Sequence, residues 1–178
     1  QVGILLSALT VPMALAAVPG GWLSDRIGYR WTAALGLGLA LAGFFAISQT
    51  WTLDVADSLI ALEMALVGVG LGLTFSPISA AVINAADHDK LGSASALVII
   101  MRLLGMTLSV TALTAFASQR LGTLATAQLG QSTVDPLAAI DVYSRLTVQV
   151  LAEMGLLGAL VCAVAIVPAL LLRRDKAA

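Results

Sequence analysis

An all-α membrane protein of about five transmembrane helices is the fold class the sequence predicts, and three observations predict it. The chain is 60% hydrophobic and only 11% charged, where a typical soluble domain carries about 25% charged residues. Its mean hydropathy is +1.00. The apolar residues fall in five continuous runs, each near or above the roughly 20 residues that a helix needs to cross a bilayer. The runs lack the apolar–polar alternation of a membrane strand.

The first expected span covers 2–23 and holds Pro12 and Pro19, which membrane helices tolerate because neighbouring groups re-satisfy the freed carbonyls. The second covers 31–48, with Gly36, Gly38, Ala40 and Gly43 as close-packing positions. A short polar loop follows, with Trp51 placed as an interfacial aromatic. The third span, 58–83, contains Gly68, Gly70, Gly72 and then Pro77. The fourth covers 92–118. Residues 119–145 are mixed and polar, and are expected as an outer loop that includes a short surface helix, with Asp135-Pro136 as a turn or helix-start signal. The fifth span covers 146–172. The whole chain, 1–178, reads as a single membrane domain, with the lipid bilayer as its first partner.

Charge narrows the function classes. A net charge of −1 argues against a nucleic-acid footprint, which needs a basic surface. The single cysteine, Cys162, excludes an internal disulfide and reads as a small filler in an apolar helix. The chain opens on Gln1 without a charged n-region or a small-residue cleavage site, so no signal peptide is read, and a piece of a longer protein is expected. Basic residues set the orientation. With Arg26, Arg30, Lys90, Arg173, Arg174 and Lys176 inside and only Arg120 and Arg145 outside, the positive-inside bias is met. The expectation is a multi-pass protein of the cell membrane with a cytoplasmic carboxyl terminus.

The stretch Gly21-Trp22-Leu23-Ser24-Asp25-Arg26-Ile27-Gly28-Tyr29-Arg30 reads as a tight, charged cytoplasmic turn between the first two spans. Its glycines let the backbone turn, and Asp25 is placed to face the positive end of a helix. The pattern resembles the signature loop of the major facilitator superfamily of secondary transporters, the match falling on Gly21, Leu23, Asp25, Arg26, Gly28 and Arg30. Tyr29 departs from it, standing where the family usually has a basic residue. Further on, Gly68-Val69-Gly70-Leu71-Gly72, Pro77, Leu91-Gly92-Ser93-Ala94-Ser95-Ala96 and Arg102-Leu103-Leu104-Gly105 are similar to the carboxyl half of the fourteen-helix drug:proton antiporters within this superfamily.

Three ionisable side chains fall within the expected spans, Glu63, Arg102 and Glu153. A charge at mid-bilayer costs about 2.5–3.5 kcal/mol on insertion scales, so each needs a partner, water or a function. Arg102 is the deepest and shares a helix face with Ser95, Gly105 and Ser109. One reading makes these residues a substrate and proton pathway, with Arg102 as an anion or counter-ion site and a glutamate as proton carrier. The competing reading is structural, with Arg102 paired to a carbonyl or carboxylate and the shallower glutamates snorkelling to the interface. His88, alone on a short loop, reads as solvated rather than metal-bound. No catalytic or metal-binding constellation stands out, and the glycine run is not preceded by a strand as a nucleotide loop would be.

The resemblance implies the last five helices of a two-bundle transporter, with the missing amino-terminal half of the same protein as partner. It implies proton-coupled efflux of small amphipathic or drug-like compounds by alternating access, no cofactor, and a proton gradient as the driving force. Asp25 would act in a cytoplasmic latch, meeting a helix start in the other half, while 91–94 would receive the equivalent aspartate. A superfamily importer of sugars or organic acids and a non-transporting scaffold stand as alternatives; an enzyme would need an acid–base pair or metal site, and a channel a filter sequence. Replacing Asp25 by Asn in the intact protein is expected to slow transport in a vesicle flux assay, and an unchanged rate would remove the latch role.

Overall fold

The computed structural model describes residues 2–53, 55–129 and 136–171. Within them lie α1 (Val2–Ile27), α2 (Tyr29–Thr50), α3 (Asp57–Asn84), a single 3-10 turn (His88–Lys90), α4 (Leu91–Leu129) and α5 (Pro136–Leu171), and no strand. All five helices are long and apolar enough to cross a membrane.

α3 is the centre of the bundle, packed against α1 on one side and α2 on the other. Its glycine run explains how. Gly68 and Gly72, one helical turn apart, lie against the α1 backbone at Leu9 and Met13, while Gly70 points the other way, to Ala40 and Gly36 of α2. A Cβ at Gly70 would stand 2.6 Å from the Gly36 carbonyl oxygen, so the backbones approach more closely than any side chain permits. Gly36 and Gly43 make the reciprocal contacts from α2. Gly38 was expected among them, but it faces open space. A three- to four-residue helical repeat puts 36, 40 and 43 on one stripe and turns 38 away from it.

α2 runs antiparallel to α5. Gly155 sits against Phe44, Ile47 and Ser48, and Gly158 against the Phe44 ring. Further along, Ala33, Leu37 and Ala169 form a small buried cluster.

The turn between α1 and α2 is shorter than expected. α1 continues through Asp25 and Arg26 to Ile27, and only Gly28 leaves helical geometry, at φ +89°. Gly28 donates its N–H to the Ser24 carbonyl, and its own carbonyl accepts from both the N–H and the hydroxyl of Thr32. One left-handed glycine therefore ends one helix and starts the next. Gly21 has no turning role; it lies inside α1 and lets Ser76 of α3 approach.

The expected loop over 119–145 is also corrected. α4 continues to Leu129 and α5 begins at Pro136, so most of that segment extends two helices. Pro136 opens α5 because its missing N–H is an orphan at the first helical position in any case. Asp135 and the basic residues Arg173, Arg174 and Lys176 lie outside the described residues. The 39 residues of α4 give about 58 Å at 1.5 Å per residue, against a hydrocarbon core of about 30 Å. Because α5 meets the Trp51 end of α2 near Gln149 and Ala152, its first turns project past that end.

Placing a side chain at Gly70 tests the packing. Gly70→Val should lower the unfolding midpoint of the detergent-purified protein by an amount equivalent to about 1–3 kcal/mol, the range for overpacking. Gly38→Ala, in open space, should stay within about 1 kcal/mol of the parent.

Candidate functional site

The three charged side chains expected in the spans do not come together. Each finds its own partner at a different place.

Glu63 is 4% exposed. Its Oε1 accepts from the Thr50 hydroxyl at 2.6 Å and its Oε2 from the Trp51 indole N–H at 2.9 Å. Both donors sit at the end of α2, across the short connection to α3. The carboxylate does not snorkel; it ties two helices and fixes the indole. Trp51 forms one wall of an open cleft with Arg145, Val148, Gln149 and Ala152 of α5.

Glu153 forms a two-pronged ion pair with Arg120, at 2.9 Å to Nε and 3.0 Å to Nη2. Gln149 stands one turn earlier on the same face of α5. This bridge joins α5 to α4, which contributes no buried residue to the described bundle. Bidentate geometry gives the contact a defined orientation.

Arg102 is the second polar tie on α4. Its guanidinium donates to Ser79 Oγ at 3.2 Å and lies 4.8 Å from the centre of the Phe75 ring, both on α3. It has five N–H donors, and this is its one hydrogen bond among the described residues. Phe75, Ser79, Val82, Leu97, Met101 and Arg102 line a groove of about 330 Å³ between α3 and α4, open along one side and almost wholly apolar apart from the guanidinium and the Ser79 hydroxyl. Ser95 and Ser109 share the Arg102 face, but each hydroxyl donates back to its own helix, to the carbonyls of Leu91 and Gly105. That local bonding satisfies the hydroxyls without a ligand. Gly105 has no atom of another helix near it.

At the other candidate site, Asp25 is exposed and makes no hydrogen bond or ion pair among the described residues. Arg26 lies 4.2 Å over the Trp22 ring, and Arg30 lies 5.5 Å from the Trp31 ring with its buried Nε unpartnered. Tyr29, the departure from the signature pattern, has its hydroxyl 2.6 Å from the Asn84 amide nitrogen, which donates to it. The tyrosine thus ties the start of α2 to the end of α3.

Ser79, Phe75, Thr50 and Arg120 were not singled out as partners in the sequence. Distance from the connection gave no signal: Thr50 ends α2 while Glu63 lies six residues into α3, and Ser79 lies five residues before the end of α3 while Arg102 lies eleven into α4.

Long apolar helices, glycine-mediated packing and a single-glycine turn flanked by charged residues define a multi-pass membrane bundle, and among the described residues no metal-binding cluster is present. The sequence matches the Major Facilitator Superfamily over residues 1–178. The chain belongs to that superfamily, and is membrane-transporter sequence rather than an enzyme. Among similar proteins is a triacylglyceride transporter of Mycolicibacterium smegmatis, 35% identical over 82% of this chain and 28% of the relative. A triacylglyceride transporter of Mycobacterium tuberculosis is 32% identical over 98% of this chain and 36% of its own length. A probable triacylglyceride transporter of Mycobacterium leprae is 29% identical over 99% of this chain and 38% of its own. The chain thus spans about a third of the length of the curated relatives it matches.

Removing the Glu63 carboxylate should leave the Trp51 indole N–H without its acceptor, while the Thr50 hydroxyl keeps the Ala46 carbonyl. Glu63→Ala is expected to cost about 1–3 kcal/mol of stability and to alter Trp51 fluorescence. Glu63→Gln keeps one acceptor oxygen and should cost less. Equal melting temperatures for the three proteins would show that the clamp does not hold α2 to α3.

Proposed function

We propose that this chain is the carboxyl-terminal part of a transporter that moves a hydrophobic, lipid-like cargo by alternating access between two helical bundles. The observation that carries the cargo class is the α3–α4 groove, an apolar cleft with one guanidinium at its edge. A small number of polar groups in an apolar wall orients a ligand without demanding that it be polar. The relatives, triacylglyceride transporters, support a neutral glyceride over the broader class of drug-like compounds.

In this reading Arg102 is the polar contact for cargo, and Ser95 and Ser109 mark the same face of α4. The α1–α2 turn serves as the cytoplasmic latch, with exposed Asp25 meeting a helix start in the amino-terminal half. The first turn of α4, beginning at Leu91, offers unsatisfied backbone N–H groups to the equivalent acid from that half. The carboxyl terminus and the α1–α2 turn lie on the cytoplasmic side of the cell membrane. A proton gradient drives efflux. Glu63 and Glu153 are both engaged in ties between helices, so the proton carrier belongs to the amino-terminal half.

The full-length protein reconstituted in proteoliposomes should speed transbilayer movement of a fluorescent triacylglyceride, and an imposed pH gradient should raise the rate further. Movement of a cationic dye with no effect on the glyceride would favour drug efflux instead. Inward, gradient-driven uptake of a sugar would select the importer, and no flux of any kind would select the scaffold.

A further inference from the structure

We infer that the cleft between Trp51 and α5 binds the headgroup of an ethanolamine phospholipid, with Arg145 taking its phosphate and Asp141 its ammonium. The inference concerns a lipid bound at the edge of the bundle and stands apart from the cargo reading above.

The cleft lies at a membrane boundary. Trp51 follows directly on the last residue of α2, at the end of that helix opposite the Gly28 turn. From Leu146 to Leu171 the one charged residue of α5 is Glu153, so Asp141 and Arg145 stand where the helix leaves the hydrocarbon. Glu63 accepts the Trp51 indole N–H at 2.9 Å. An interfacial tryptophan ordinarily turns its polar end to the wet side. Here that group is spent inward, and the ring is left as a fixed apolar wall. Polar contacts with a headgroup then fall to α5.

Along α5 they come in a set order. Asp141 and Arg145 are one turn apart and joined, Arg145 Nε donating to Asp141 Oδ2 at 3.1 Å. This is the one hydrogen bond of either side chain among the described residues, so the four Nη protons of the guanidinium remain to be used. Gln149 lies one turn deeper in the cleft, with the apolar Val148 and Ala152 beside it. At 1.5 Å per residue the carboxylate, guanidinium and amide stand at levels about 6 Å apart, followed by hydrocarbon. An ethanolamine phospholipid presents ammonium, phosphate, ester carbonyl and acyl chain in the same sequence from water inwards. The guanidinium suits phosphate through paired N–H donors, and the Gln149 amide can donate to an ester carbonyl. Trp51, Leu53, Val148 and Ala152 receive the start of the chain.

The charges select among headgroups. Arg145 and Asp141 are 69% and 60% exposed, so their pair is weak and both ends are open to a ligand carrying both signs. An anionic headgroup would satisfy the guanidinium but face the carboxylate. A choline headgroup carries both charges, but its nitrogen has no N–H to give Asp141.

The test uses the full-length transporter in vesicles, with Trp51 as its sole tryptophan and phospholipids brominated on the acyl chains as contact quenchers. Phosphatidylethanolamine should half-quench Trp51 at an about two- to fivefold lower membrane fraction than phosphatidylcholine or phosphatidylglycerol, the scale of one exposed ion pair. Asp141→Asn should abolish that preference. Arg145→Gln should raise the half-quenching fraction of phosphatidylethanolamine by a similar factor. Lys90→Gln, an exposed change in the α3–α4 turn, should alter neither. The unsubstituted protein should retain the three lipids in the same order in native mass spectrometry, which keeps the test open if the single-tryptophan form does not fold. Equal quenching by all three lipids in the parent would overturn the site and leave Trp51 against bulk lipid. A preference for phosphatidylglycerol would overturn it in favour of charge alone. A parental preference untouched by Asp141→Asn, or a half-quenching fraction untouched by Arg145→Gln, would move the lipid elsewhere and overturn the assignment. No quenching by any lipid would overturn it too, and show that protein covers the cleft.

Discussion

The bundle depends on the contact of backbone with backbone along α3. In a membrane the hydrophobic effect does not drive helices together, because lipid tails are as apolar as leucine. Association has to come from close packing and a few polar ties. The glycines of α3 supply the first by placing α1 against one face and α2 against the other, so that weak dispersion contacts accumulate along two helices at once. α5 then joins through its own glycines, set against Phe44 and Ser48 of α2.

The polar ties do the remaining work, and they are distributed rather than pooled. Glu63 fastens α3 to the end of α2, Glu153 and Arg120 fasten α5 to α4, and Arg102 reaches from α4 to α3. A buried polar group left unmatched is costly, and each of these is matched by a neighbour across a helical connection. The result for α4 is a helix held at two points with an open groove beside it.

Much of the site was legible in the sequence. The turn residues and the intramembrane charges stood out because glycine and ionised side chains are expensive or rare in their settings. Less legible was which partner each charge would take. Glu63 was expected to snorkel because depth was judged along one helix, whereas Thr50 and Trp51 approach from the next one. The expected loop over 119–145 read as polar, but polarity marks exposure to water, and a helix can be exposed without ending. Tyr29 read only as a departure from a pattern; its tie to Asn84, 55 residues away, exists only once α2 and α3 are folded side by side.

By itself the sequence determined that this is an all-helical membrane protein with five long apolar helices, and the transporter superfamily they belong to. Those properties follow from local hydrophobicity, from glycine and from the short turn motif, all of which act within a few residues. Only the tertiary structure decided which charges are ties, that Gly28 alone makes the turn, and that an open apolar groove lies between α3 and α4. These depend on side chains that are distant in sequence meeting at one level of the bundle, and no local pattern contains that information.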